Sequence, residues 1–184
     1  MRVIGGTLRR RKLHPLRGLT IRPTTDYLRE SIFNILAGRV EGAVVLDLFA
    51  GTGSLGIEAL SRGAASAVFV DSQVQSLRSL AKNISTCGLE DKSTVLRQDI
   101  LRGLGFLRAL DRAFDLVFMD PPYHKGFAER TMHLLDRSGC VAQGAWVVIE
   151  RSTRESLPDK VGPFESIDER EKGKTVVSFY ESVL

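Results

Sequence analysis

Cysteine is scarce in this chain: two residues in 184, Cys87 and Cys140, 53 positions apart. Neither sits in a Cys-x-x-Cys pair or beside paired histidines, so a zinc ribbon is excluded, no disulfide framework is expected, and both read as reduced core thiols. Histidine is equally thin, with His14, His124 and His133 scattered along the sequence. No metal-ligand spacing arises, and a metal hydrolase is excluded. Long apolar runs are missing too; none approaches the roughly 18 residues that a membrane-spanning helix needs. The start, Met1-Arg2-Val3-Ile4-Gly5-Gly6, lacks the apolar stretch and cleavage site of a secretory signal. A cytoplasmic protein is expected. The sequence also lacks the signature of disorder, since 43% of residues are hydrophobic and the net charge is only +4. A chain of this length fits one domain with a substantial core.

The small net charge hides an asymmetry. Residues 1–40 hold nine basic side chains (Arg2, Arg9, Arg10, Arg11, Lys12, Arg17, Arg22, Arg29 and Arg39) against Asp26 and Glu30, a balance of +7. The remaining residues carry 17 basic and 20 acidic groups, a balance of −3. Such a distribution suggests an anionic polymer docking at one end of the molecule, with a solvated basic arm as the bland alternative. Arg9, Arg10, Arg11, Lys12 and Arg22 are the candidate contacts. Residues 1–40 are therefore expected to form a basic extension and residues 41–184 the main domain.

Within the extension, Val3 to Leu13 reads as a short twisted strand pair around the arginines. Tyr27, Leu28, Ile32, Ile35 and Leu36 then lie on one helical face, with Thr24 or Thr25 as N-cap and Gly38 as stop. From Val44 onward, short strand-like runs (44–49, 67–70, 93–96, 116–119 and 145–149) alternate with helical segments (55–62, 74–87, 100–110 and 127–136). All the runs but 93–96 are, Asp47 apart, continuously apolar, as strands covered on both faces require. The alternation predicts a doubly wound α/β domain, Rossmann-like, with a mostly parallel sheet. The tail differs: 164–171 and 175–183, joined by Lys172-Gly173-Lys174, predict an antiparallel hairpin.

The segment Asp47-Leu48-Phe49-Ala50-Gly51-Thr52-Gly53-Ser54-Leu55-Gly56 passes from a strand through a glycine turn into a helix. Gly51, Gly53 and Gly56 satisfy G-x-G-x-x-G, and Asp71 ends the next strand. Two ligands fit that spacing, a nicotinamide dinucleotide and S-adenosylmethionine (SAM), because both need close backbone approach and a carboxylate for ribose hydroxyls. Asp47 favours SAM: a carboxylate beside the loop suits a ligand bearing an ammonium and a sulfonium, and opposes a pyrophosphate. Its alternative reading is a brace for the loop. Asp71 is placed for the ribose, or as a helix N-cap. Asp99 is placed to accept from the adenine amine while Ile100 packs the ring.

The fourth run, Leu116-Val117-Phe118-Met119, ends in Asp120-Pro121-Pro122-Tyr123. Two prolines fix the backbone and remove its donors. An Asp carboxylate beside a proline carbonyl offers two acceptors to the two hydrogens of an exocyclic amine, which orients its lone pair for attack. Tyr123 can stack on an extruded base.

The glycine loop and this tetrapeptide together resemble the SAM-dependent amino-methyltransferases of nucleobases. Arg22-Pro23-Thr24-Thr25-Asp26, Arg29-Glu30, Phe33-Asn34 and the run from Leu55 to Ala64 narrow the resemblance to the RsmD-type family of bacterial small-subunit rRNA guanine-N2 methyltransferases. Membership implies methylation of one guanine N2 in 16S rRNA, on a small subunit or an assembly intermediate, by a monomer that converts SAM to S-adenosylhomocysteine (SAH). It implies cofactor contacts from Thr24, Thr25, Asp47, Phe49, Ala50, Gly51, Thr52, Gly53, Asp71, Ser72, Asp99 and Ile100, and catalytic contacts from Asp120, Pro121, Pro122 and Tyr123. Where the family often has Glu and then Asp after the second strand, this chain has Asp71 and Gln73. Two other functions compete: an adenine-N6 DNA methyltransferase, which would use the same tetrapeptide, and a non-catalytic ribosome-assembly factor on the same fold.

Overall fold

The computed structural model describes residues 1–16, 26–123 and 126–183. They fall into two compact units, Met1–Gln98 and Asp99–Leu184. Arg22, Thr24 and Thr25 lie outside the described residues, as does the expected N-cap of the first helix.

In the first unit that helix, α1, spans Asp26–Ile35 and buries Leu28, Ile32 and Phe33. Three strands follow the expected runs: β1 (Val44–Leu48), β2 (Ser66–Asp71) and β3 (Ser93–Arg97). They are parallel in the order β3-β2-β1, with Leu46 beside Val68 and Phe69 beside Val95. Val45, Leu46, Leu48, Val68, Phe69 and Val70 are wholly inaccessible. Each such side chain contributes about 1.5–3 kcal/mol by leaving water. β3 is the outer strand and is largely wet, which explains why its sequence alone lacks a continuous apolar run. The connections are α2 (Ser54–Ser61) and α3 (Val74–Cys87), the latter closed by Gly88 in the left-handed conformation.

The basic extension is clamped to α2 through main-chain groups. Val3 and Leu13 are buried, a single antiparallel bridge joins Arg2 to Lys12, and Arg10 turns the chain with φ 71°. Glu58, almost wholly buried on α2, accepts from the amides of Ile4 (2.8 Å) and Gly5 (2.7 Å). Ser61 bonds Leu8 N and Gly5 O. Asn83 of α3 holds His14 N and O as well as Thr52 O in the glycine turn. Arg9, Arg10, Arg11 and Lys12 are left exposed.

In the second unit, β4 (Phe114–Met119) lies parallel to β5 (Val141–Ser152), with Val117 beside Val147. Three antiparallel strands continue outward: β8 (Thr175–Ser182), β7 (Phe164–Lys172) and β6 (Lys160–Val161). The tail hairpin is as expected. Its ladder closes on Lys172 and Thr175 with Gly173 at φ 64°, the first central position of a two-residue loop. Helix α4 spans Phe127–Ser138.

Two expectations are corrected here. The helix expected over 100–110 is two 3-10 segments, Ile100–Arg102 and Gly105–Leu110. Gly103 breaks the run with φ 127°, a conformation closed to other residues. β5 extends to Ser152 instead of stopping at Ile149 because its polar end is buried with partners: Arg151 bonds Ser178 and the Glu155 carbonyl and pairs with Glu169. A charge directly after an apolar run reads as a strand end only when it faces water.

Candidate active site

Strand β1 ends in the glycine turn. Phe49 adopts φ 59°, Gly51 φ 56° and Gly53 φ 78°. A bulky residue in the left-handed region costs on the order of 1–3 kcal/mol, and such strain gathers at functional loops. The turn is held by Ala50 N to Val70 O (3.1 Å), by Gly53 N to Ala50 O (2.7 Å) and by Gly51 N, which donates to Asp71 Oδ2 at 2.9 Å. Asp71 thus meets the glycine turn directly. Its Oδ1 accepts from Gln73 N at 2.8 Å, so each oxygen holds one amide and keeps a lone pair for a further donor. Ser72 beside it is exposed.

Asp47 makes the bond that its alternative reading, a brace for the loop, requires. It is 3% exposed, and its Oδ2 accepts from Gly56 N at 2.9 Å in the first turn of α2. Burial pushes its carboxyl up to about 8; the Gly56 amide pulls the other way and Asp71 adds to the rise. The bond to Gly56 makes Asp47 a brace between β1 and the first turn of α2.

That assignment has a pH signature. A carboxyl raised on folding binds its proton more tightly in the folded chain, so its contribution is full below the unfolded value of about 4 and is lost as pH rises to about 8. In urea titrations the wild type should lose stability relative to Asp47→Asn across that interval and level off above it. A pH-independent difference would mean that Asp47 is ionised throughout.

In the second unit Asp99 caps a 3-10 turn. Its Oδ1 accepts from Leu101 N at 3.1 Å, and its Oδ2 lies 3.3 Å from Arg102 Nε. Its side chain is 48% exposed, which leaves it open to an additional donor, while Ile100 is buried. At the end of β4, Pro121 is buried, Pro122 is exposed, and Asp120 and Tyr123 are half-buried. Tyr123 Oη donates to Glu150 Oε1 on β5 at 2.9 Å and also bonds Thr175. Burial and the neighbouring Glu150 raise the phenol well above its ordinary value, which keeps the proton on it.

The sequence reading missed Glu58, Asn83 and Glu150. Glu58 and Asn83 sit in helices whose apolar spacing says nothing about which polar residue faces inward. The signal for Glu150 was its place directly after the five apolar residues 145–149 on a strand.

The donor set fits SAM. Residues 49–53 contain no basic side chain for a pyrophosphate, and Asp71, bonded to their turn, keeps lone pairs for hydroxyl donors. The fold is shared with a structure described as a putative methyltransferase complexed with SAH, at TM-score 0.69 and 16% identity, over 88% of this chain and 50% of that one. The chain belongs to the family described as Conserved hypothetical protein 95, whose model matches residues 1–181. It is 35% identical to ribosomal RNA small subunit methyltransferase D of Escherichia coli (strain K12), over 98% of this chain and 89% of that one. It is also 35% identical to YlbH of Bacillus subtilis (strain 168), over 98% of each. The structure of yhhF from Escherichia coli matches with TM-score 0.85 and 34% identity, over 100% of this chain and 98% of that one.

Proposed function

We propose that this chain transfers a methyl group from SAM to the exocyclic N2 of one guanine in small-subunit rRNA. It acts as a cytoplasmic monomer on a small-subunit particle or assembly intermediate. One observation carries the reading: β4 ends in a proline-stiffened tip that presents a half-buried carboxylate and a half-buried tyrosine ring side by side. Likeness to the small subunit methyltransferase D proteins supports the choice of small-subunit rRNA.

The glycine turn and Asp71 would hold the cofactor, with Asp99 and Ile100 at its adenine. The cofactor supplies an electrophilic methyl carbon on a sulfonium. Asp120 and the Pro121 carbonyl accept the two amine hydrogens, turning the nitrogen lone pair toward that carbon. As the N–C bond forms, the C–S bond breaks and its electron pair stays on sulfur, leaving neutral SAH. The methylated nitrogen is then acidic and sheds one proton to solvent, so no strong base is needed beforehand. Tyr123 carries the face of the base, with a stacking contribution of about 1–3 kcal/mol.

The test is methyl transfer to small-subunit particles from a strain lacking the enzyme, followed by mass mapping of the rRNA. One N2-methylguanosine is expected. No transfer, or transfer to adenine in duplex DNA instead, would overturn the proposal. With Arg9, Arg10 and Arg11 all changed to Ala, particle capture should weaken and the slope of log affinity against log salt should become shallower by about 2–3. An unchanged slope would remove the hairpin from the interface.

A further inference from the structure

Tyr123 is anchored at both ends. Its Cα follows two prolines, whose rings fix φ and leave the backbone little freedom. Its far end, the hydroxyl, donates to Glu150 at 2.9 Å and bonds Thr175. Both partners are unusual for their positions. Glu150 and Thr175 are only 6% and 8% exposed, and they lie on neighbouring strands beside the fully buried Ile149 and Val177. A ring tethered at Cβ alone can swing about two side-chain torsions; holding its para oxygen, which lies on the second torsion axis, fixes the first, and because a phenol O–H prefers the ring plane its directed bond to Glu150 aligns the second. Ordering a free ring would otherwise fall on the binding step and weaken it.

We propose that Glu150, aided by Thr175, is a positioning residue for methyl transfer: by holding the Tyr123 hydroxyl it fixes the plane against which the target base rests. The inference rests on the reading of Asp120 to Tyr123 as the amine site. Glu150 touches no reacting atom. It acts on the rate by keeping the base, and hence its amine, in one orientation, and a misplacement of about 1 Å at a reacting centre can cost roughly a hundredfold.

The test is steady-state transfer of labelled methyl from SAM to the same particles, with SAM and particle concentrations varied separately. Glu150→Ala and Tyr123→Phe should each lower kcat by about tenfold and leave the KM for SAM within about twofold, as expected when orientation and not cofactor binding is lost. The double variant should be no slower than either single one, because both remove the same bond. Glu150→Gln, whose amide oxygen still accepts from the phenol, should recover most of the rate. Multiplying effects in the double variant would overturn the inference, as would a Tyr123→Phe enzyme at full speed or a loss confined to KM for SAM. If Glu150→Ala fails to fold, Tyr123→Phe and Glu150→Gln decide the matter. Tyr123→Ala separates the two readings. A fully active Tyr123→Ala enzyme would sink the amine-site assignment itself, whereas an inactive one beside a normal Tyr123→Phe would sink only the role of Glu150.

Discussion

Asp120→Ala should abolish turnover while leaving SAM binding within about twofold. Removing one preorganised partner of a transition state typically costs 100- to 1,000-fold in kcat, and in the proposed mechanism the lost group is the one that orients the amine and faces the positive charge developing on nitrogen. The side chain is half-buried at the strand tip, not in the core, so the fold should survive. Calorimetric titration with SAM and the particle assay check the two halves of the expectation. Asp120→Asn keeps one acceptor oxygen without the charge and should fall between the wild type and the Ala variant. Transfer by Asp120→Ala at the wild-type rate would remove the carboxylate from the mechanism.

The second large effect is on stability and lies at Gly56. A Cβ there would stand 2.3 Å from Phe69 Cε1, 2.9 Å from Phe69 Cζ and 3.0 Å from Asp47 Oδ2. Phe69 is fully buried in β2 and Asp47 is nearly so. Neither can yield without opening the layer between α2 and the sheet. Overpacking of this kind costs typically 1–3 kcal/mol and occasionally more, and Gly56→Val, which adds two further methyl groups, is expected to cost about 3 kcal/mol. The urea midpoint should fall, and SAM binding should fall with it because the same helix shapes the turn. Gly51→Ala is the contrast. Its Cβ would meet nothing closer than the Phe49 carbonyl at 3.8 Å, so only the φ of 56° resists it, at about 1–2 kcal/mol. A Gly56→Val protein as stable as Gly51→Ala would show that close helix–strand packing is not what the third glycine provides.

The parallel core was legible because the runs 67–70, 116–119 and, Asp47 apart, 44–49 are apolar on both faces, and only strands covered twice need that. Gly51, Gly53 and Gly56 could be placed at a strand-to-helix turn from spacing alone, and the family could be recognised once the motifs at 47–53 and 120–123 were joined by those at 22–26, 29–30, 33–34 and 55–64. What stayed hidden were long-range polar pairings. Asp47 could be foreseen near the loop, with a brace as its alternative reading, yet the brace is made only because Gly56 N, nine positions on in sequence, comes to 2.9 Å from its carboxyl. Glu58 reads as a solvated helix residue until the amides of Ile4 and Gly5 arrive from more than fifty positions upstream. Glu150 reads as the end of a strand until Tyr123 meets it. Periodicity reports which face is apolar; it does not report which polar atom will be desolvated, since that depends on a partner brought in by topology.

The way the N-terminal hairpin is fastened has a last consequence. Glu58, Ser61 and Asn83 grip amides and carbonyls, leaving the side chains from Arg9 to Lys12 unengaged by that grip. The segment is thus a replaceable panel on a fixed mount. Its charge can be raised or lowered by mutation, retuning how strongly the molecule clings to polyanions at a given ionic strength, without disturbing the bolts beneath.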